Sequence, residues 1–235
     1  MAVDKLLHEA HVAIIHVLLF RPEARFAELQ KASALSSDHF NFYLKQLLDE
    51  GYVTKNTRGA YHLTSKGKEF ANRFDTDERK VERQPKVAVC LVIHDGQGRT
   101  LIQQRLKQPY YGWWGRPTGK IRWGETIMQA AARELKEETN LTATLTFGGI
   151  YHKMDYNEQT GELLEDKIFF NVFGTDPKGK LTDEFEGGRN RWMTDDEIMS
   201  QEHTFVRVND PDQMMNKPGE IRLVERAHQY SPNDY

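Results

Sequence analysis

Glu134, Glu137 and Glu138 lie close together in Thr126 to Asn140, a segment with no proline or glycine and rich in Ala, Glu and Leu. Such a composition is helical by propensity. At about 100° per residue the three carboxylates share an arc of about 100°. Ile127, Ala131 and Leu135 make an adjacent apolar stripe at i, i+4 spacing. Carboxylates at the edge of a buried stripe repel one another unless a cation sits among them. Hard oxygen ligands suit Mg2+ or Mn2+ rather than zinc. The bland alternative is a solvated acidic face with i, i+4 ion pairs, such as Arg133 with Glu137.

The wider spacing decides between these. From Gly119 the chain runs five residues to Glu125, then seven to Arg133-Glu134-Leu135-Lys136-Glu137-Glu138-Thr139-Asn140-Leu141. This resembles the Nudix box, G-x5-E-x7-R-E-U-x-E-E-x-G-U, with U aliphatic. Six fixed positions match, a coincidence of about one in ten million at any one start. The flanks agree: Trp114-Gly-Arg-Pro-Thr-Gly-Lys120 is similar to the family's approach to the box. Arg191-Trp192-Met193 with Asp196-Glu197 is similar to its late strand and helix. One position departs, Asn140 standing where the box has glycine. Asparagine is the side chain that best tolerates the left-handed conformation of that cap, so the helix end is expected to survive.

The resemblance implies roles. Glu137 and Glu138 would be metal ligands, joined by a backbone carbonyl around Thr118–Gly119. Glu134 would be a further ligand or the base that deprotonates water. Arg133 and Glu125 would form a structural ion pair under the catalytic loop. Arg105 stands where family members place a phosphate-binding arginine, and Glu186 where some carry an extra loop carboxylate, with Asp183 and Glu184 competing. Tyr110, Tyr111, Trp113 and Trp114 lie just before the box, where family members can stack on a base; they are candidates for that or for the core, and Trp114 is read as core. The implied reaction is attack of metal-activated water on phosphorus in a nucleoside diphosphate derivative, with Mg2+ or Mn2+ as cofactor. Nucleoside triphosphates, ADP-ribose and nucleotide sugars all stay open.

Strands must hold this helix. Val87–His94 and Arg99–Arg105 read as strands around the turn Asp95–Gly98. Cys90, in the first, reads as a small buried hydrophobe. Leu141 begins another strand.

The chain changes character near residue 75. Residues 75–85 carry one aliphatic side chain and end in proline, as a charged linker or exposed helix extension does. Before it, apolar residues at helical spacing from Leu6 to Leu19 predict a helix stopped at Arg21-Pro22. Phe26–Ser33 predicts a second. A third is capped by Ser36 or Ser37, with Phe40, Tyr43, Leu44, Leu47 and Leu48 inward, and ends at Gly51. Tyr52–Asn56 and Ala60–Leu63 predict a hairpin, and Thr64 opens a helix through Phe74. This order resembles the winged helix-turn-helix domain of bacterial and archaeal regulators. The resemblance implies DNA contacts through His39, Asn41 and Lys45 on the recognition helix, with Lys55 and Arg58 on the wing. Asp38 would oppose phosphate. The other use of such a domain is protein contact or assembly as a homodimer. His8 and His11, one turn apart, read as solvated or interface histidines.

The fold class expected is therefore α+β: a winged helix over 1–74, a linker over 75–85, a Nudix α/β/α sandwich with a mixed sheet over 86–200, and an extension over 201–235 with no derivable role. The 235 residues suffice for two modest domains. With 38% apolar and 29% charged residues the composition is that of a soluble globular protein, expected in a reducing, cytoplasmic setting. A single cysteine excludes an internal disulfide or multi-cysteine metal site. No apolar run reaches membrane-spanning length. Net charge is −3, which excludes a chain built throughout for nucleic acid; residues 1–74 carry +2 and the remainder −5. Two functions follow: a Mg2+-dependent Nudix hydrolase with a winged helix, or a transcription regulator sensing a nucleotide or phosphosugar. Regulators that resemble such fusions usually place the Nudix domain first, and sensors often lose the glutamates that this chain keeps.

Overall fold

The structure, a computed structural model, describes residues 8–75, 80, 81, 83–205, 220–231 and 233. The chain separates into two units, 1–83 and 84–235. The middle of the expected linker, 76–79 and 82, lies outside the described residues, as do Leu6 and Leu7.

In the first unit, helices α1 (Glu9–Phe20), α2 (Phe26–Ser33) and α3 (Ser37–Asp49) precede a hairpin of β1 (Val53–Lys55) and β2 (Tyr61–Leu63). Ile14, Ile15 and Leu18 of α1 pack with Leu29, Phe40, Leu44 and Leu47 in one core. Tyr43 and Leu48, expected inward, are half-buried. The hairpin turn is closed by Asn56, whose side-chain oxygen accepts from the amides of Arg58 and Ala60, both at 3.0 Å. Helix α4 (Ser65–Ala71) is capped by the Thr64 hydroxyl, which accepts from Gly67 N at 3.0 Å. It ends at Ala71 rather than continuing through Phe74. There the chain turns into β3 (Phe74–Asp75), which satisfies its backbone against β4 (Lys80–Val81). His11 is 1% exposed between the rings of His8 and Tyr43, so it is a buried histidine and not a solvated one.

The second unit holds two sheets. Its strands are β5 (Lys86–Ile93), β6 (Thr100–Arg105), β7 (Trp114–Gly115) and β8 (Thr118–Lys120), then, after helix α5 (Ile127–Thr139), β9 (Thr142–Asn157) and β10 (Leu163–Lys178). β11 (Glu184–Phe185), β12 (Gly188–Met193), the short helix α6 (Asp195–Met199) and β13 (Leu223–Tyr230) complete it. The five-stranded sheet runs β13-β9-β10-β5-β8 and is mixed, because β10 lies parallel to β5 and β13 parallel to β9. The smaller sheet runs β11-β12-β6-β7. Along β5 the side chains alternate between two surroundings. Val89, Leu91 and Ile93 pack with Ala131 and Leu135 of α5, while Ala88 and Cys90 pack with Phe169 on the other face. β13 belongs to the C-terminal stretch to which the sequence assigns no role, and it forms the outer strand of the larger sheet.

Candidate active site

Helix α5 begins with a capping box: the Thr126 hydroxyl accepts from Gln129 N, and the Gln129 side chain returns to Thr126 N at 2.9 Å. It ends at Asn140, φ 61°, ψ 12°, in the left-handed region expected of the missing glycine. The Asn140 side chain donates to Lys180 O at 3.1 Å and accepts from Lys136 Nζ at 2.6 Å. Both ends of the helix are therefore fixed by side chains.

One helical face carries the glutamates. Glu125, in the loop before the helix, receives a two-pronged bond from Arg133, Nε to Oε1 at 2.7 Å and Nη2 to Oε2 at 2.8 Å. Those bonds, with one from Arg122 N, hold the Glu125 carboxyl down at about 2 and raise the Arg133 guanidinium. Arg133 Nη1 also donates to Glu134 at 2.6 Å and to Glu137 at 3.1 Å, and Arg122 donates to Glu137 at 3.0 Å. Glu134 lies against the backbone of Gly119 in β8, where a Cβ would overlap its Cγ, Cδ and Oε1. Glycine at 119 is thus a condition for Glu134 being where it is.

Glu138 faces the smaller sheet. Gln103 of β6 donates to its Oε2 at 3.0 Å and to Asn190 Oδ1 at 3.1 Å, while the buried Asn190 of β12 donates to Glu138 O at 2.8 Å. Burial raises the Glu138 carboxyl; the Gln103 bond lowers it, and the like charge of Glu134 raises it again. No local motif marks Gln103 or Asn190. Only the antiparallel register of β12 on β6, which sets Asn190 opposite Gln103, reveals them.

Among the described residues no three acidic, histidine or cysteine side chains converge on a point that could hold a metal. Arginines hold the oxygens of Glu134 and Glu137 instead. The donor set itself fits a hard divalent cation: three carboxylates from one helix face beside the backbone of Gly119.

A cleft of about 800 Å3, counting the part open to solvent, is lined by Gln103, the hydrogen-bond partner of Glu138. Thr118 lines it too, and Arg105, Arg116, Lys153 and Lys167 bring positive charge. Tyr110, Tyr151, Phe169 and Phe205 supply apolar wall, and Cys90 contributes a thiol that burial pushes up to about 11, inert as expected. Arg105 donates to Pro109 O at 2.9 Å, and burial lowers its guanidinium against the pull of Glu138.

The remaining expected residues are placed as follows. Tyr111 is 61% exposed and lines no cleft described; its neighbour Tyr110 does. Trp113 is half-buried, stacked on His203 at 5.3 Å and beside Tyr110; it lines a second hollow with Phe205 and Tyr230, of which only Phe205 also lines the cleft. Trp114 is core, as read. Glu186 sits exposed in the β11–β12 turn, and no bond among the described residues ties it to the box glutamates; Glu184 pairs with Arg189 at 2.8 Å. In the first unit His39, Asn41 and Lys45 are exposed on α3. Lys55 is exposed above the Tyr61 ring, and Arg58 lies 3.9 Å from Glu23.

Comparison with known proteins adds the following. A NUDIX domain model matches residues 84–226, and a winged helix-turn-helix model matches 11–82. Isopentenyl-diphosphate Delta-isomerase of Serratia proteamaculans is 31% identical over 122 residues, 45% of this chain and 66% of that protein. ADP-ribose pyrophosphatase of Methanocaldococcus jannaschii is 28% identical over 112 residues, 47% of this chain and 65% of that protein. The chain thus spans just under two thirds of the length of these relatives, and their names cover two different reactions. Among solved structures, the MutT protein of Bacillus halodurans superposes with a TM-score of 0.47 at 23% identity, covering 64% of this chain and 93% of that one. The NUDIX domain of Shewanella oneidensis NrtR, solved with ADP ribose, gives 0.45 at 18%, covering 58% and 88%.

Proposed function

The chain belongs to the NUDIX family, with a winged helix-turn-helix ahead of that domain, and from this premise we propose that it hydrolyses a nucleoside diphosphate derivative by attack of water on phosphorus. The observation that carries the reading is Glu134 packed against the backbone of Gly119, tied through Arg133 to Glu137, with Glu138 one turn on and bonded to Gln103 in the wall of the cleft. Mg2+ or Mn2+ would be held by these glutamates and the Gly119 carbonyl. Such a cation, when bound, neutralises phosphate charge and lowers the pKa of water.

The chain's own residues supply the rest. Glu134, fixed against Gly119, accepts the proton of the attacking water. The Glu125–Arg133 fork pins the loop to the helix, so that Glu134 and Glu137 keep their positions. Arg105 faces the diphosphate from the second sheet. Gln103 orients Glu138.

The test is turnover. Purified protein with Mg2+ is assayed against nucleoside triphosphates, ADP-ribose and nucleotide sugars. One class is hydrolysed, and Glu138→Gln lowers kcat by about 100-fold or more while the circular dichroism spectrum is kept. No hydrolysis of any panel member by the wild type would overturn the reading.

A second reading is favoured by the first unit, where α3 exposes His39, Asn41 and Lys45 together. In it the NUDIX domain senses a nucleotide or phosphosugar and the winged helix binds DNA. Ligand-dependent DNA binding with slow or absent hydrolysis would put this reading first.

A further inference from the structure

The face of the larger sheet away from α5 carries a row of cations. Lys167 of β10 stands in register between Lys86 of β5 and Lys153 of β9, and Arg226 of β13 comes next, opposite Lys153. Like charges directly opposite one another in a sheet are destabilising. Two buried carboxylates offset part of the row. Glu165 takes Lys86 at 2.8 Å and also pairs with Lys167, and Asp155 takes Lys153 at 2.6 Å. The cleft itself receives only one sign of charge: Arg105, Arg116, Lys153 and Lys167 line it, and no aspartate or glutamate does. The buried Nε of Arg116 has no hydrogen-bond partner.

Apolar residues at these positions would pack without desolvating any charge. Four cations sharing one cleft with a donor left over are instead complementary to an anion. The glutamate end accounts for only one of the four, Arg105, which feels the charge of Glu138. Of the other three, Lys153 is paired with Asp155, Lys167 shares Glu165 with Lys86, and Arg116 forms no ion pair among the described residues, so two carboxylates face three lysines and Arg116 is left over.

We propose that the cleft takes a second anionic group of the substrate, a phosphate monoester or a carboxylate on the part of the molecule away from the diphosphate, with Arg116 and Lys167 as its partners. The proposal rests on the hydrolase reading of the adjoining glutamates. The true substrate is then a nucleoside diphosphate derivative with more negative charge than the linkage alone supplies.

Two pairs of compounds test it, each differing by one anion: NADP+ against NAD+ for a phosphate monoester, and UDP-glucuronate against UDP-glucose for a carboxylate. The wild type is expected to favour the anionic member of one pair by tenfold or more in kcat/KM, and the pair that discriminates identifies the group. Arg116→Gln and Lys167→Gln bring that ratio close to one. Ratios near one for both pairs in the wild type, or a ratio that both variants leave unchanged, would overturn the proposal. If a variant fails to fold, the wild-type ratios decide alone. If no compound is hydrolysed, calorimetric dissociation constants of the same four compounds take the place of kcat/KM. An anion preference lost in Arg116→Gln then upholds the cleft while the hydrolase reading fails, and equal or absent binding overturns both.

Discussion

At the scale of single residues, two positions make sharp predictions. Gly119 is required because Glu134 occupies the space a side chain would fill. Gly119→Ala is expected to displace the Glu134 carboxylate and to lower kcat by about 100-fold, the size of loss that a misplacement of about 1 Å brings. The melting temperature should move little by comparison; a large loss of stability with kcat intact would contradict this. Lys167 is the second. Burial, then the charge of Lys153, push its ammonium down to about 7. An anion binds the protonated form, so affinity is full below that value and falls as pH rises through it. The Kd of the anionic compound should weaken by up to about tenfold per pH unit above neutrality. Lys167→Gln flattens the profile; a flat profile in the wild type would exclude Lys167 from the contact.

At the scale of elements, the end of α5 and the outer strand β13 respond to different variables. Asn140 closes α5 at φ 61°. Asn140→Val is expected to cost about 1–2 kcal/mol, because a β-branched side chain opposes the left-handed region, whereas Asn140→Gly stays within about 0.5 kcal/mol. Urea denaturation separates the two. β13 is held by His152 of β9, which bonds Glu225 at 2.9 Å and Asp166 of β10 at 2.8 Å. Glu225, then Asp166, raise the imidazole above its ordinary 6.5. The bond's contribution to stability is therefore complete below pH 6.5 and is lost as pH climbs through the raised value. His152→Gln should destabilise more at about pH 5.5 than at about pH 8.5, read by urea midpoints. An equal effect at both would mean that the imidazolium contributes nothing. These elements also show what a sequence can disclose. Helix α5, its Asn140 cap and the glutamate spacing are local, and are read directly from one stretch of chain. Gln103, Asn190, Lys153 and Lys167 are not. Their meaning comes from strand register, with bulges in the β9–β10 hairpin shifting it on the way, and a one-residue slip would turn the lysines to the other face. α4 stops short of Phe74 for a similar reason, since its successor pairs with a strand formed later in the chain. β13 pairs in parallel with a strand more than sixty residues earlier, a partner that no local pattern names.

At the scale of the whole molecule, the winged helix makes a prediction of its own. If residues 1–74 bind DNA, Lys45, Lys55 and Arg58 contact phosphate, and His39 and Asn41 face base edges. Affinity should then fall steeply with salt, and Lys55→Ala should reduce the salt slope by about one unit per bound subunit while sequence preference is kept. Asn41→Ala should relax the preference instead. A salt titration against DNA from upstream of the coding region reads both, and absence of binding at low salt in every ligand state would leave the winged helix as an assembly module. The outer strand has a consequence of another kind. β13 covers positions 150–157 of β9, a strand sixteen residues long. A chain shortened before Leu223 would leave that ladder of amide and carbonyl groups facing water, a ready template for the same segment of a neighbouring molecule. Loss of that strand would then show itself first as insolubility and self-association, before any change in what the glutamates do.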